Sequence, residues 1–241
     1  MIDFDKPGKS KLIEGVLRFV WQVDLPVSHR HDKESVHLDI GAGMIPRNPF
    51  HSLRLVALDS NEDYNNSSSV EHVFGDLTQE LPFGDNTFSS ISAYDVLEHI
   101  PRWERRQSGI HYPFVSLMNE IYRILKPGAI FIAVTPAFPS PAAFADPTHV
   151  NLIARDTIRY FAGDEAWART IGYGFNGNFE VVAQTWLRGG GPYAPNSILG
   201  EFSGITRVEK LRTTARLFNR TIRLLKNRNP SHILWVLRKK P

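Results

Sequence analysis

Short β-rich runs that alternate with turns and one apolar helical stripe constrain this chain more than any other feature. The runs fall at Val36–Ile40, Leu53–Leu58, Val70–Phe74, Ser89–Ala93 and Ala129–Val134. Between the last two, Phe114, Leu117, Met118, Ile121, Ile124 and Leu125 recur at helical spacing, and Lys126-Pro127-Gly128 stops the pattern. Alternation of this kind predicts right-handed crossovers and a mostly parallel sheet flanked by helices, an α/β architecture. Two later runs, Phe179–Trp186 and Ile233–Leu237, are placed to complete the sheet. With 241 residues, 42% of them hydrophobic and 22% charged, the chain suits one globular domain with elaborations. It divides into a helical lead over 1–33, with apolar residues at helical spacing over 10–22, and a core over 34–187. An insertion over 188–230 and a last strand and tail over 231–241 complete it.

The first run ends in Asp39-Ile40-Gly41-Ala42-Gly43, a strand followed by a sharp turn. Glycines there let the backbone approach a ligand with no Cβ in the way. A dinucleotide site wants a third glycine at position 46, where packing of the next helix brings its N-terminus to a pyrophosphate. This chain has Pro46, then Pro49, and a prompt regular helix is not expected. Twenty residues after Asp39, at the end of the second run, comes Asp59, an acid suited to ribose hydroxyls. A nucleoside with a free ribose and no pyrophosphate meets both conditions, and S-adenosylmethionine is such a ligand. The same Pro46 counts against an NAD-dependent oxidoreductase.

Over residues 34–187 the chain resembles a class I S-adenosylmethionine-dependent methyltransferase of the small-molecule, methyltransferase type 11-like group. LDIGAG, FGDLTQELPFGDNTF (74–88), AYDVLEHIP (93–101) and NEIYRILKPGAIFIAVTP (119–136) stand in the family's order and spacing. Ser89 replaces a frequent acid and Ala129 a frequent glycine. GAGMIPRNPF resembles, more weakly, bacterial members associated with surface-polysaccharide synthesis. The resemblance implies a Rossmann-like, seven-stranded, mostly parallel sheet of order 3-2-1-4-5-7-6. It also implies cofactor contacts residue by residue. Asp39, Gly41, Ala42 and Gly43 would line the amino-acid end, Asp59 and Ser60 the ribose, and Asp76 and Leu77 the adenine. Tyr94 and Asp95 follow at the end of strand four. Asp76 equally suits a plain turn.

Methyl transfer from a sulfonium needs alignment of nucleophile, methyl and sulfur, and a hydroxyl nucleophile also needs help in losing its proton. Three residues are candidates for that chemistry. His149, in FADPTHVN beyond strand five, is the first, with Asp146 as its orienting partner. His99 after strand four is the third. The plain alternatives are a solvent-exposed loop histidine at 149 and a cap or packing site at 99. No metal site is expected, because the spacing of Asp146, His149, His99 and His111 matches no specific motif and magnesium prefers oxygen ligands.

The chain has no cysteine. Disulfides, thiolate metal sites and the cysteine nucleophile of cytosine C5 methylation are therefore excluded. Residues 206–241 hold eleven Lys/Arg against one acid, Glu209, leaving 17 basic and 24 acidic residues elsewhere. A helical pattern there presents Val208, Leu211, Ala215, Phe218, Ile222 and Leu225 on one face and Arg212, Arg216, Arg220 and Arg223 on a neighbouring one. It reads as a helix packed on the body with a solvated cationic side. The functional alternative is contact with an anionic membrane or a phosphorylated lipid-linked substrate. No apolar leader or membrane span is found, so a cytoplasmic, at most membrane-peripheral, location is expected. The acceptor expected is a small molecule or a carbohydrate, methylated at oxygen. Tyr94-Asp95-Val96-Leu97 departs from the signature of base-amine methylation, and a nucleic-acid partner is not expected. An RNA methyltransferase and a non-catalytic S-adenosylmethionine-binding protein are the alternatives.

Overall fold

The computed structural model describes residues 34–64, 70–187 and 231–241. The expected leading helix and the 188–230 insertion, including Arg212, Arg216, Arg220 and Arg223, lie outside the described residues. Nine strands are described: β1 (Val36–Ile40), β2 (Arg54–Asp59), β3 (Glu71–Phe74), β4 (Phe88–Tyr94), β5 (Glu104–Arg106), β6 (Gly109–His111), β7 (Leu125–Pro136), β8 (Phe179–Leu187) and β9 (His232–Lys239). Seven form one sheet in the order β3-β2-β1-β4-β7-β9-β8, and β5 and β6 make a separate hairpin. Leaving that hairpin out of the count gives 3-2-1-4-5-7-6, the Rossmann-like order expected. The pairs from β3 to β7 are parallel, and β9 runs antiparallel to both β7 and β8.

Burial explains why the central runs are strands. Every residue of β4 is buried, as is the β7 stretch from Ala129 to Pro136, the mark of a parallel sheet covered on both faces. One face receives the helix Pro113–Ile124, which has Pro113 at its first position, where a missing N–H costs nothing. Leu117, Met118, Ile121 and Ile124 of that helix are at most 1% exposed and belong to one core cluster with Leu38, Ile40, Val56, Leu58, Ile91 and Ala93. Each such side chain contributes roughly 1.5–3 kcal/mol. The opposite face gathers Phe50, Tyr94, Ile130, Ile132, Val134, Leu234 and Val236.

Two local features differ from a simple alternation. The helix stops at Ile124, and β7 begins at once with Leu125, so Lys126-Pro127-Gly128 lie within the strand. Its register against β4 shifts between Phe88 and Ser90, and Gly128 takes a positive φ of 76°. The second feature is the β1–β2 crossover. Residues 41–53 carry no helix, as Pro46 and Pro49 predict. Among the described residues no helix is long and apolar enough to cross a membrane.

Candidate active site

The carboxyl ends of β1, β2, β4 and β7 meet along one edge of the sheet, where open α/β sheets bind ligands. Gly41 and Gly43 both take φ near +60°. A Cβ on Gly41 would lie 2.4 Å from Val96 Cγ2, so the turn after β1 is pressed against the segment that follows β4. A Cβ on Gly43 would meet nothing; that position is open, and its N–H donates to Asp59 Oδ2 at 2.8 Å. Asp59 Oδ1 accepts from Asn61 N at 3.0 Å. Asp59 thus fastens the glycine turn to the end of β2. The turn is further tied by Ala42 N donating to Leu58 O at 3.2 Å.

Asp39 is 1% exposed. Its Oδ1 accepts from Ser92 Oγ at 2.5 Å and its Oδ2 from Arg47 N at 2.8 Å, which holds the proline-bearing loop against β1. Burial raises its carboxyl to about 6, against the hydrogen bonds from Ser92 and Arg47. Behind it, His37 is fully buried, with Nδ1 2.8 Å from Ser90 Oγ and Nε2 2.8 Å from Ser92 Oγ. Desolvation lowers this imidazole to about 3. Tyr94 is buried under the guanidinium of Arg47, 4.4 Å from its ring centroid, and burial pushes the phenol upward.

The remaining nucleoside candidates lie further out. Ser60 is exposed. Asp76 is exposed and turns back on Thr78, accepting from its N and Oγ1 at 2.8 Å each, while Leu77 packs partly on the core. Asp95 takes φ 55°, its N–H donates to Val134 O, and its carboxylate lies 3.2 Å from His232 Nε2. A cavity of about 330 Å³ opens beside Asp59, lined also by Ala57, Asn61, His72 and Phe74. It touches neither His99 nor His149.

Those histidines form a second group. After β4 a single 3-10 turn, Leu97–His99, buries Glu98 to 1% exposure. Loop 137–153 folds over this turn. Val150 N and Asn151 N both donate to Glu98 O at 2.9 Å, and Asn151 Nδ2 donates to Leu97 O at 3.0 Å. Arg102 closes the clamp, donating to Asn151 Oδ1 at 2.7 Å and to Leu152 O. The clamp brings His149 against His99, with ring centroids 4.9 Å apart at 76°. Glu98 Oε2 accepts from Thr135 Oγ1 at 2.8 Å, and Oε1 is buried with no hydrogen-bond partner, 3.9 Å from His149 Nε2. Burial raises the Glu98 carboxyl to about 8, and nearby Asp95 and Asp146 add to the rise.

The expected partnership of His149 with Asp146 takes a different form. Asp146 is exposed, and its Oδ1 accepts from Thr148 N at 2.8 Å and Thr148 Oγ1 at 2.6 Å. Thr148 in turn meets His99: its Oγ1 and carbonyl lie 3.1 and 3.3 Å from His99 Nδ1. The carboxylate beside His149 is Glu98, which the sequence alone did not single out. Its signal was present, in the spacing Asp95-x-x-Glu98-His99 that brings an acid and a histidine to the end of β4. No metal ligands were expected either, yet Glu98, His99 and His149 each offer a ligand atom within 4.8 Å of the other two.

Residues 28–133 match the family model described as a methyltransferase domain. Three solved structures share the fold over almost the whole chain. A methyltransferase in complex with the Trm112 methyltransferase activator of Haloferax volcanii matches at 14% identity, with 97% of this chain and 93% of that one covered and a TM-score of 0.52. A SAM-dependent methyltransferase from Archaeoglobus fulgidus matches at 15% identity, over 96% and 98%, with a TM-score of 0.50. The YcgJ protein from Bacillus subtilis matches at 14% identity, over 94% and 98%, also at 0.50. No curated protein matches the sequence. The weaker resemblance to surface-polysaccharide enzymes gains no support from these matches.

Proposed function

We propose that this chain, whose residues 28–133 match a methyltransferase domain, uses S-adenosylmethionine to methylate a hydroxyl oxygen of a small-molecule or carbohydrate-type acceptor received at Glu98, His99 and His149. The observation that carries this reading is the meeting of two imidazoles and a buried carboxylate at the end of β4, beside the glycine turn. An amine that is already neutral needs no such group, whereas a hydroxyl must lose a proton as its oxygen bonds to carbon. Phe138 and Phe144 stand 54% and 53% exposed in the same loop as His149. Such rings suit the apolar face of a sugar or a small ring.

S-adenosylmethionine supplies the electrophilic methyl when bound. The residues of this chain fit it: Gly43 leaves open space where a side chain would stand, and Asp59 presents a carboxylate at the end of β2. Asp39, Gly41, Ala42 and Gly43 are assigned to its amino-acid end, Asp59 and Ser60 to the ribose, and Asp76 and Leu77 to the adenine. Tyr94 and Asp95 are assigned to the floor between cofactor and acceptor. In the transfer an acceptor oxygen lone pair forms the new bond to the methyl carbon. The old carbon–sulfur pair would stay on sulfur, and the hydroxyl proton would pass to water beside Glu98, His99 and His149.

The test separates binding from turnover. Calorimetry with S-adenosylmethionine on the wild type and on Asp59→Ala should show at least tenfold weaker binding in the variant. His149→Ala should bind the cofactor as the wild type does and lose about 10²–10⁴ in methyl transfer to hydroxyl acceptors. Unchanged turnover in His149→Ala would remove it from the mechanism. Cofactor binding with no transfer to any acceptor would favour a non-catalytic role.

A further inference from the structure

We propose that Glu98, His99 and His149 bind one divalent transition-metal ion, and that the acceptor oxygen docks on an open position of that ion. The second half rests on the function proposed above; the ion site itself does not.

The hydrogen bonds behind each ligand decide which lone pairs are free. Thr148 Oγ1 gives its proton to Asp146, so toward His99 it can only accept, as can the Thr148 carbonyl. His99 Nδ1 must therefore carry the proton, and its Nε2 is left with a lone pair. His149 Nδ1 faces the Ala143 carbonyl at 3.3 Å, which again accepts only, so its Nε2 is also a bare lone pair. Glu98 Oε2 is taken by the Thr135 hydroxyl, while Oε1 is buried with no hydrogen-bond partner. Glu98, His99 and His149 each offer a ligand atom within 4.8 Å of the other two. A buried carboxyl oxygen with no hydrogen-bond partner is costly to keep. A cation at the centre removes that cost.

The supporting shell is that of a metal site. Ligating histidines ordinarily give their second ring N–H to a carbonyl or a carboxylate-linked group, which fixes tautomer and ring orientation. Here Ala143 and Thr148, the latter backed by Asp146, do this for both rings. Two imidazole nitrogens and one carboxylate oxygen favour a first-row ion such as zinc or cobalt over magnesium or calcium. Three protein ligands leave positions open, as catalytic sites require. An acceptor hydroxyl on such a position gives up its proton to water near neutral pH. The resulting oxygen attacks the methyl carbon, and the carbon–sulfur bonding pair remains on the departing thioether.

The test uses the untagged full chain, stripped with a chelator and titrated with zinc chloride by calorimetry and with cobalt chloride by visible absorption. One ion per chain is expected, with binding at least tenfold weaker in Glu98→Gln. Thr148→Val should weaken it about 10–100-fold without removing a ligand. S-adenosylhomocysteine binding, measured on each sample, reports whether the glycine turn is intact. Equal zinc affinity in the wild type and in a Glu98→Gln/His149→Ala double variant with that turn intact would overturn the proposal. Should the double variant fail to fold, X-ray absorption of the zinc-loaded wild type decides: two imidazole ligands support the site, and an all-oxygen shell refutes it. Zinc held at these ligands with no hydroxyl acceptor methylated would sink the acceptor reading alone. Full methylation by ion-free protein that binds no zinc would sink the ion alone.

Discussion

His37 shows how far a single buried residue can be read. Asp39 accepts the Ser92 proton at 2.5 Å, so Ser92 Oγ has no second proton to offer His37. Nε2–H of His37 must then donate to Ser92, and Nδ1 must accept from Ser90. Three hydrogen bonds point one way, toward the carboxylate of the glycine turn, and each strengthens the next. The imidazole must stay neutral, which agrees with its lowering to about 3. Its folded value lies below its unfolded one, so the unfolded chain takes up the proton first. The contribution of His37 to stability is thus present above about 6.5 and is lost as pH falls toward 3. Asp39, raised to about 6, acts in the opposite sense over part of that window, so a variant comparison is needed. The stability of the wild type relative to His37→Gln should decline on acidification below about pH 6.5, by at most about 1.4 kcal/mol per pH unit. Urea unfolding at several pH values measures it; a difference independent of pH would contradict a neutral buried His37.

At the scale of elements, the glycine turn and the end of β4 behave as one unit. Gly41→Ala should destabilise the fold by about 2 kcal/mol or more, from the positive φ and the overlap with Val96. Val96→Ala in the same chain removes the Cγ atoms a Cβ would strike and should restore part of the loss. Thermal unfolding of the two singles and the double reads the coupling; simple additivity would mean that the two do not press on each other. This contact also marks what the sequence could and could not tell. Strand runs, the helix over 113–124 and the helix-free loop after Gly43 were legible, because periodicity and Pro46 act locally. Asp39, Gly41, Gly43 and Asp59 stood out for the same reason. Glu98 did not, because its meaning depends on Thr135 and His149, brought to it by β7 and by the Asn151 clamp. Asp146, expected to orient His149, accepts hydrogen bonds from Thr148 instead, because the turn caps itself through that carboxylate.

Across the whole molecule, Lys239 joins distant parts of the chain. Its Nζ is 2.8 Å from Asn86 Oδ1, Tyr122 O and Leu125 O, and lies over the Tyr122 ring. It thereby satisfies carbonyls at the end of the helix 113–124 while anchoring β9, and burial lowers its pKa. Lys239→Met keeps the length and removes the donors. A loss of about 3 kcal/mol is expected from three hydrogen bonds to a charged group, or roughly 10 °C in Tm. A Tm within 2 °C of the wild type, by this roughly scaled expectation, would show that water replaces the ammonium at no cost. β9 itself, encoded after every other described strand, occupies an interior lane of the sheet between β7 and β8. During synthesis, then, the two lanes on either side must wait with open backbone edges until residues 232–239 leave the ribosome. A nascent chain halted before them holds the glycine turn but presents two unzipped borders, the condition under which chaperone capture or edge-to-edge aggregation is expected.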